Sequence, residues 1–403
     1  MPSPIRAVPV GLFLAASVAL GSLSPVHAAE DPPDATATTG ARGTAVAGTS
    51  DDLTAHAEAL VARMDTTERA ASVVMGHLPT TDPVALEQYM RETGIGGFIL
   101  MGANIPGSEG ELRAITSALQ VDPELPPLIG IDQEGGDVSR LPWDDNASAR
   151  TLKNAPIADA GTAFAARAAL VARAGATVNF GVVADVTDDP SMFIYPRALG
   201  TTPQSAADHV GAAVRGEAGL VLSTAKHFPG HGAAPGDSHR GIPATSLTRA
   251  EWESHDGAPF RAAIDAGVPL VMLGHLAYTD VDTAPASLSS AWHDILRDDL
   301  GFTGVAITDD LGMLQASGIA AYDDPVANAV SALAAGNDMV LSVMFTTADT
   351  APAMVAGITA AVEAGTLSAE RLEEAATRVM ALRLSTAAQG DTLMPCAECT
   401  AVL

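Results

Sequence analysis

Short apolar runs punctuate the chain from residue 51 onward, at 71–77, 96–101, 127–132, 177–185, 219–225, 269–275, 304–308 and 338–343. Several are continuous rather than alternating, the pattern of parallel strands buried on both faces. Between them lie Ala-rich segments of helical character at 82–92, 158–174, 205–217, 251–266 and 324–335, with a closing one at 368–384. Asp82 and Asp323 or Asp324 stand where N-caps belong, and Glu370, Arg371, Glu373 and Arg378 are expected on the wet face of the closing helix. Eight strand–helix repeats without a Pro/Ser-rich break predict an α/β fold, a (β/α)8 TIM-like barrel over residues 51–386. A doubly wound open sheet is the alternative.

The flanks read differently. Arg6, an apolar stretch over 8–20 and Val26-His27-Ala28 have the order of a secretory signal peptide, placed at residues 1–29. Its apolar core is short for a membrane span. Residues 30–50, rich in Ala, Thr, Gly, Pro and Asp, are expected to be a disordered linker. Residues 387–403 form a C-terminal tail holding both cysteines, Cys396 and Cys399, whose C-x-x-C spacing is compatible with a small disulfide in an exported chain; a structural or incidental role is expected over a redox one. The expected localisation is therefore secreted or cell-wall associated.

Charge narrows the partners. The sequence has 48 Asp+Glu against 21 Lys+Arg, which disfavours nucleic acid and anionic membrane surfaces. A monomer acting on a small-molecule substrate is expected. No nucleophilic serine elbow, P-loop or dinucleotide fingerprint follows a strand, so no cofactor is expected.

Polar residues gather where the strands end. One run, Lys226-His-Phe-Pro-Gly-His-Gly232 followed by Asp237-Ser-His239, puts a Lys, three His and an Asp into fourteen residues. It reads as a loop just past the fifth strand, aiming polar groups at one point. Asp132, Glu134 and Arg140 follow the third strand, Asp185 and Arg197 the fourth; His275 ends the sixth, Asp309 and Asp310 the seventh, and Asp338 begins the eighth. A TIM-like barrel carries its site on that rim. Carboxylates, cations and imidazoles gathered there suit a sugar, whose hydroxyls need polar partners and whose bond cleavage needs an acid and a nucleophile. A metal site built from His227, His231 and His239 stays open on spacing alone; no metal is expected.

Four motifs resemble glycoside hydrolase family 3, in its β-N-acetylhexosaminidase branch. They are Ile131-Asp-Gln-Glu-Gly-Gly136 with Val138 and Arg140; the Lys226 run with Asp237-Ser-His239 and Pro243; Pro285-Ala-Ser-Leu-Ser289 with Leu300-Gly-Phe-Thr-Gly304; and Thr308-Asp-Asp-Leu-Gly-Met313. They fall in order over about residues 51–385. The resemblance implies a single catalytic TIM-like barrel without the family's C-terminal α/β sandwich domain. It also implies a retaining exo-β-N-acetylglucosaminidase, removing terminal N-acetylglucosamine from peptidoglycan fragments or chitooligosaccharides through a glycosyl-enzyme intermediate. A phosphorylase or a β-glucosidase of the same family, or a non-catalytic sugar-binding protein, is the alternative.

By the same resemblance Asp309 is the nucleophile, with Asp310 its rival. Neighbours on a strand point oppositely, so only one faces the sugar. His239 is the acid/base with Asp237 as its partner, and Asp132, Arg140, Arg197, Lys226, His227 and His275 bind substrate. His231 is expected to bind backbone around Gly230 and Gly232. Asp137 stands where the family has Arg, and Ala198-Leu199 replace Ser-Phe/Tyr after Arg197.

Overall fold

A computed structural model of the chain describes residues 50–389. The leader, most of the linker and Cys396/Cys399 lie outside the described residues. Among the described residues ten strands form: β1 (Val74–Gly76), β2 (Gly97–Leu100), β3 (Leu128–Ile131), β4 (Val178–Val183), β5 (Leu222–Phe228), β6 (Ala244–Thr245), β7 (Leu270–Leu273), β8 (Ala277–Tyr278), β9 (Val305–Asp310) and β10 (Met339–Leu341). Eight close into a parallel barrel in the order β1-β2-β3-β4-β5-β7-β9-β10, and β6 pairs with β8 as a small separate ribbon. The expected TIM-like barrel is thus the fold. Among the described residues no helix is long and apolar enough to cross a membrane.

Side chains alternate along the strands, as the pleat requires. Leu270 and Met272 of β7, Val305 and Ile307 of β9, and Leu128 of β3 join one buried cluster with Met75, Ile99, Val178, Phe180 and Leu341, filling the barrel interior. Val271, Leu273 and Ala306 join the layer between strands and helices instead. Counting by twos, Asp132 beyond β3, Lys226 on β5 and Asp309 on β9 share the inward parity. The barrel's period thus sends all three to the axis at the C-terminal rim.

Several boundaries differ from the sequence reading. Ala71 and Ser72 close a helix (Thr66–Ser72) in which Asp65 and Glu68 form a reciprocal capping box, so β1 starts later than residue 71. The segment 251–266 is two helices, Arg249–Ser254 and Gly257–Asp265, broken at His255, where ψ is −86°. The closing helix runs from Ala369 to Gln389, three residues past the expected end of the domain. Asp338 lies at the start of β10, on the opposite rim from the site. Its buried carboxylate pairs with Arg297, Arg371 (2.6 Å) and Arg378 (3.0 Å). It ties the closing helix to the barrel, and Arg371 and Arg378 turn inward rather than lie on a wet face.

Candidate active site

The Lys226 run is strand before it is loop: β5 continues through Phe228, with Lys226 and His227 inside it. The peptide bonds Lys226–His227 and Phe228–Pro229 are cis. Phe228 is fully buried, edge-on to Trp252 (5.8 Å between centroids), Phe260 (5.2 Å) and Trp292 (5.7 Å). Trp252 Nε1 donates to the Pro229 carbonyl at 2.7 Å and Tyr278 Oη to the Gly230 carbonyl at 2.8 Å. A side chain at Gly232 would meet the Val186 carbonyl oxygen at 1.8 Å, so only glycine passes there. Aromatic packing, one indole donor and one phenol donor thus fix the backbone that presents Lys226 and His227.

Lys226 is 3% exposed and contacts two carboxylates, Asp132 Oδ1 at 2.9 Å and Glu134 Oε1 at 2.8 Å. Arg197 grips Glu134 with two parallel bonds of 2.9 and 2.7 Å, the bidentate geometry of the stronger ion pairs. Arg140 Nη2 lies 3.4 Å from Asp132 Oδ2. Its loop is shaped by Gln133, whose Oε1 accepts from the Arg140 and Leu141 backbone N–H groups. Burial works to raise both carboxyls, but Lys226 with Arg140 at Asp132, and Lys226 with Arg197 at Glu134, outweigh it and hold each at about 2. The floor therefore carries fixed charges of both signs over the whole neutral range. Asp132 and Arg140, 18% and 27% exposed, are its most open members, and Lys226 and Glu134 lie behind them.

His227 stands between Asp185, whose Oδ2 is 2.7 Å from Nδ1, and Arg197, whose Nη2 is 3.4 Å from Nε2. The hydrogen-bond pattern assigns the proton to Nδ1. Burial first, and then Arg197, push the imidazole well below its ordinary range, so it is neutral at pH 7. The Asp185 carboxylate also accepts the His231 backbone N–H at 2.6 Å. Burial raises Asp185 to about 6.

The two candidate nucleophiles part company. The Asp310 carboxylate accepts three backbone N–H groups, from Gly312 (2.9 Å), Val343 (2.8 Å) and Met344 (2.9 Å), capping the next helix and pinning the loop after β10. Burial lifts it to about 6 in spite of these donors. The Asp309 carboxylate accepts one N–H, that of Asp310, at 2.8 Å. Burial works against its charge, but His227, His275, the Asp310 N–H and Lys226 together hold it below the ordinary carboxylate range. It is an ionised carboxylate with lone pairs to spare.

His275 departs from the expected role of substrate ligand. Its Nδ1 is 2.7 Å from Ser287 Oγ and its Nε2 2.8 Å from the Asp310 carbonyl. Both nitrogens are engaged by protein, and the ring steadies the strand end that carries Asp309. His231 departs too. Its ring is 1% exposed and neither nitrogen has a partner, so it does not bind the backbone around the glycines.

Asp237 and His239 form a pair of their own on the turn beyond β5. His239 Nδ1 is 2.8 Å from Asp237 Oδ1, and its backbone N–H donates to the same oxygen at 3.0 Å. This leaves Nε2 without a hydrogen-bond partner among the described residues. Half of the His239 side chain is exposed. Among the described residues no three His, Cys, Asp or Glu converge as a metal would require. Asp137, the departure from the family pattern, pairs with Arg150 at 2.6 Å on the surface. The position thus keeps an ion pair, with the sign at 137 reversed.

Sequence reasoning undervalued Glu134 and Asp185, which orient Arg197 and His227. The pairs Arg197–Glu134 and His227–Asp185 span 63 and 42 residues, beyond any local pattern. Acidic residues at two other strand ends were the available signal.

Residues 72–382 match the family model described as the glycosyl hydrolase family 3 N-terminal domain. A protein named Beta-hexosaminidase from Nitrosospira multiformis is 35% identical over 274 residues, covering 63% of this chain and 75% of that one. A solved structure described as a glycoside hydrolase family 3 β-N-acetylglucosaminidase from Paenibacillus sp. aligns with a TM-score of 0.75 and 29% identity over 84% of this chain. It is the longer protein, with 66% of its chain matched. The Mycobacterium tuberculosis protein LpqI aligns with a TM-score of 0.72 and 27% identity over 80% of this chain and 95% of that one.

Proposed function

The chain belongs to glycosyl hydrolase family 3, and from that premise we propose that it is a retaining exo-β-N-acetylglucosaminidase with Asp309 as nucleophile and His239 as acid/base. The observation that carries the reading is the division of labour at residues 309 and 310. One carboxylate is held by three N–H groups; the other is ionised, lightly bonded, and set at inward parity on the rim.

The steps follow from these groups. The Asp309 carboxylate attacks the anomeric carbon as the glycosidic C–O bond breaks, and His239 Nε2–H gives its proton to the departing oxygen. Water then attacks the same carbon while His239 Nε2 takes its proton, and Asp309 leaves as carboxylate with retained configuration. Asp237 on Nδ1 keeps the protonatable nitrogen turned outward and stabilises the imidazolium. Asp132 and Arg140 offer an acceptor and a donor to ring hydroxyls, with Arg197 and Lys226 fixing the carboxylates around them.

The names of the relatives favour N-acetylglucosaminides over glucosides. With a leader that reads as an export signal, the substrate class is peptidoglycan fragments or chitooligosaccharides outside the membrane. The test is a panel of p-nitrophenyl glycosides (N-acetylglucosaminide, N-acetylgalactosaminide, glucoside, xyloside) assayed with and without phosphate. The N-acetylglucosaminide should be cleaved fastest and phosphate should not change the rate. Preference for the glucoside, dependence on phosphate, or binding without release would each overturn the reading in favour of a glucosidase, a phosphorylase or a sugar-binding protein.

A further inference from the structure

Among the described residues, the hydrogen bonds of Asp237, His239 and Arg240 run within the turn that carries them. Asp237 Oδ1 receives the His239 N–H and Nδ1, the Asp237 carbonyl receives the Arg240 N–H at 3.0 Å, and Arg240 Nε lies 3.7 Å from Asp237 Oδ2. None of these reaches the barrel. Among the described residues, the ring that meets the His239 imidazole comes from a distant segment. Phe193, from the loop after β4, meets it edge-on with centroids 5.9 Å apart and planes at 73°.

Phe193 also packs on His231 at 5.5 Å, and His231 packs on His227 at 6.2 Å. Four rings thus run in series from the exposed turn to the buried floor. His231, buried with no partner for either nitrogen, acts there as an aromatic wall. The Arg197 guanidinium is 5.5 Å from the Phe193 centroid. The segment around Phe193 is held on both sides. Asp189 Oδ1 accepts from Ser191 N and Oγ at 2.8 and 2.7 Å. Ile194 is fully buried, and Lys153 lies 4.0 Å over the Tyr195 ring and donates to its carbonyl. Two residues further on, Arg197 is clamped by Glu134.

Resting on the reading of His239 as acid/base, we propose that Phe193 is a positioning residue for it, the fixed ring against which the His239 imidazole docks with Nε2 facing the glycosidic oxygen. A phenyl ring suits the task. It neither donates nor accepts a proton, so Nε2 stays available, and the contact can break and re-form as substrate passes. Edge-to-face aromatic contacts prefer defined angles, so the ring sets orientation as well as distance.

Leaving groups of different acidity test it. A phenyl N-acetylglucosaminide needs its oxygen protonated as it departs; a 2,4-dinitrophenyl one does not. The ratio kcat/KM reports bond cleavage in both. Phe193→Ala and Phe193→Leu should lower kcat/KM on the phenyl glycoside about 3- to 10-fold and leave the dinitrophenyl glycoside within about 2-fold, the range of one ring contact. Phe193→Tyr should restore the phenyl glycoside. His239→Ala, run alongside, should show the same selectivity with a larger loss. Equal losses on both substrates in the Phe193 variants, or no loss on the phenyl glycoside while His239→Ala remains selective, would overturn the role of Phe193. Absence of selectivity in His239→Ala would instead overturn the acid/base reading beneath it.

Discussion

Lys226 has 3% of its side chain exposed and touches two carboxylates; His239, thirteen residues further on, has 51% exposed and touches one. The first belongs to a lattice of Asp132, Glu134, Arg197, His227 and Asp185, where hydrogen bonds reach across β3, β4 and β5. The second belongs to a turn bonded to itself and resting on a ring. The difference follows the chemistry proposed for each. Charges that hold a sugar and a nucleophile gain from being preorganised away from water. A group that must protonate a departing oxygen and then admit water gains from standing at the edge. One motif of fourteen residues supplies both because its first half is strand and its second half is turn.

The largest expected effect comes from breaking the floor. Lys226→Met removes the shared cation and leaves Asp132 and Glu134 facing each other in a buried site. Such a loss costs about 3–5 kcal/mol, so urea unfolding should show a sharply lower midpoint and turnover should vanish. Unfolding of His239→Ala should match the parent chain. If the two variants unfold alike, the contrast between floor and turn is wrong.

A smaller effect separates them by pH. Glu134 is held at about 2, below its ordinary 4.5. Its contribution to stability is therefore complete above pH 4.5 and is lost as pH falls from there towards 2. The amount is on the order of 3 kcal/mol, from about 2.5 pKa units. Glu134→Gln should be less stable than the parent at pH 7, by a margin that shrinks through this window. A margin independent of pH would mean that Glu134 is not held as an anion by Lys226 and Arg197.

The pattern of apolar runs sufficed for the barrel, because eight buried parallel strands leave continuous apolar stretches. It located Asp132, Lys226 and Asp309 on the rim by their positions at strand ends, and Arg197 in the loop after the fourth strand. It misjudged Asp338 because a residue at the start of a strand lies at the far end of the barrel, where three arginines await it. It took Lys226 and His227 for loop because the glycines after them signal a turn, whereas Phe228 carries the strand on into an aromatic core. The assignments of Glu134, Asp185, His275 and Phe193 needed three dimensions, since each acts on a partner from a different strand or loop.

The central claim is that Asp309, and not its neighbour, forms the covalent intermediate. A 5-fluoro-N-acetylglucosaminyl donor, which slows release of such an intermediate, should trap it for peptide mass spectrometry. The account expects one added sugar on the peptide containing Thr308-Asp-Asp-Leu, fragmenting to Asp309, and no adduct in Asp309→Ala. A sugar attached to Asp310, or an adduct that persists in Asp309→Ala, would contradict it.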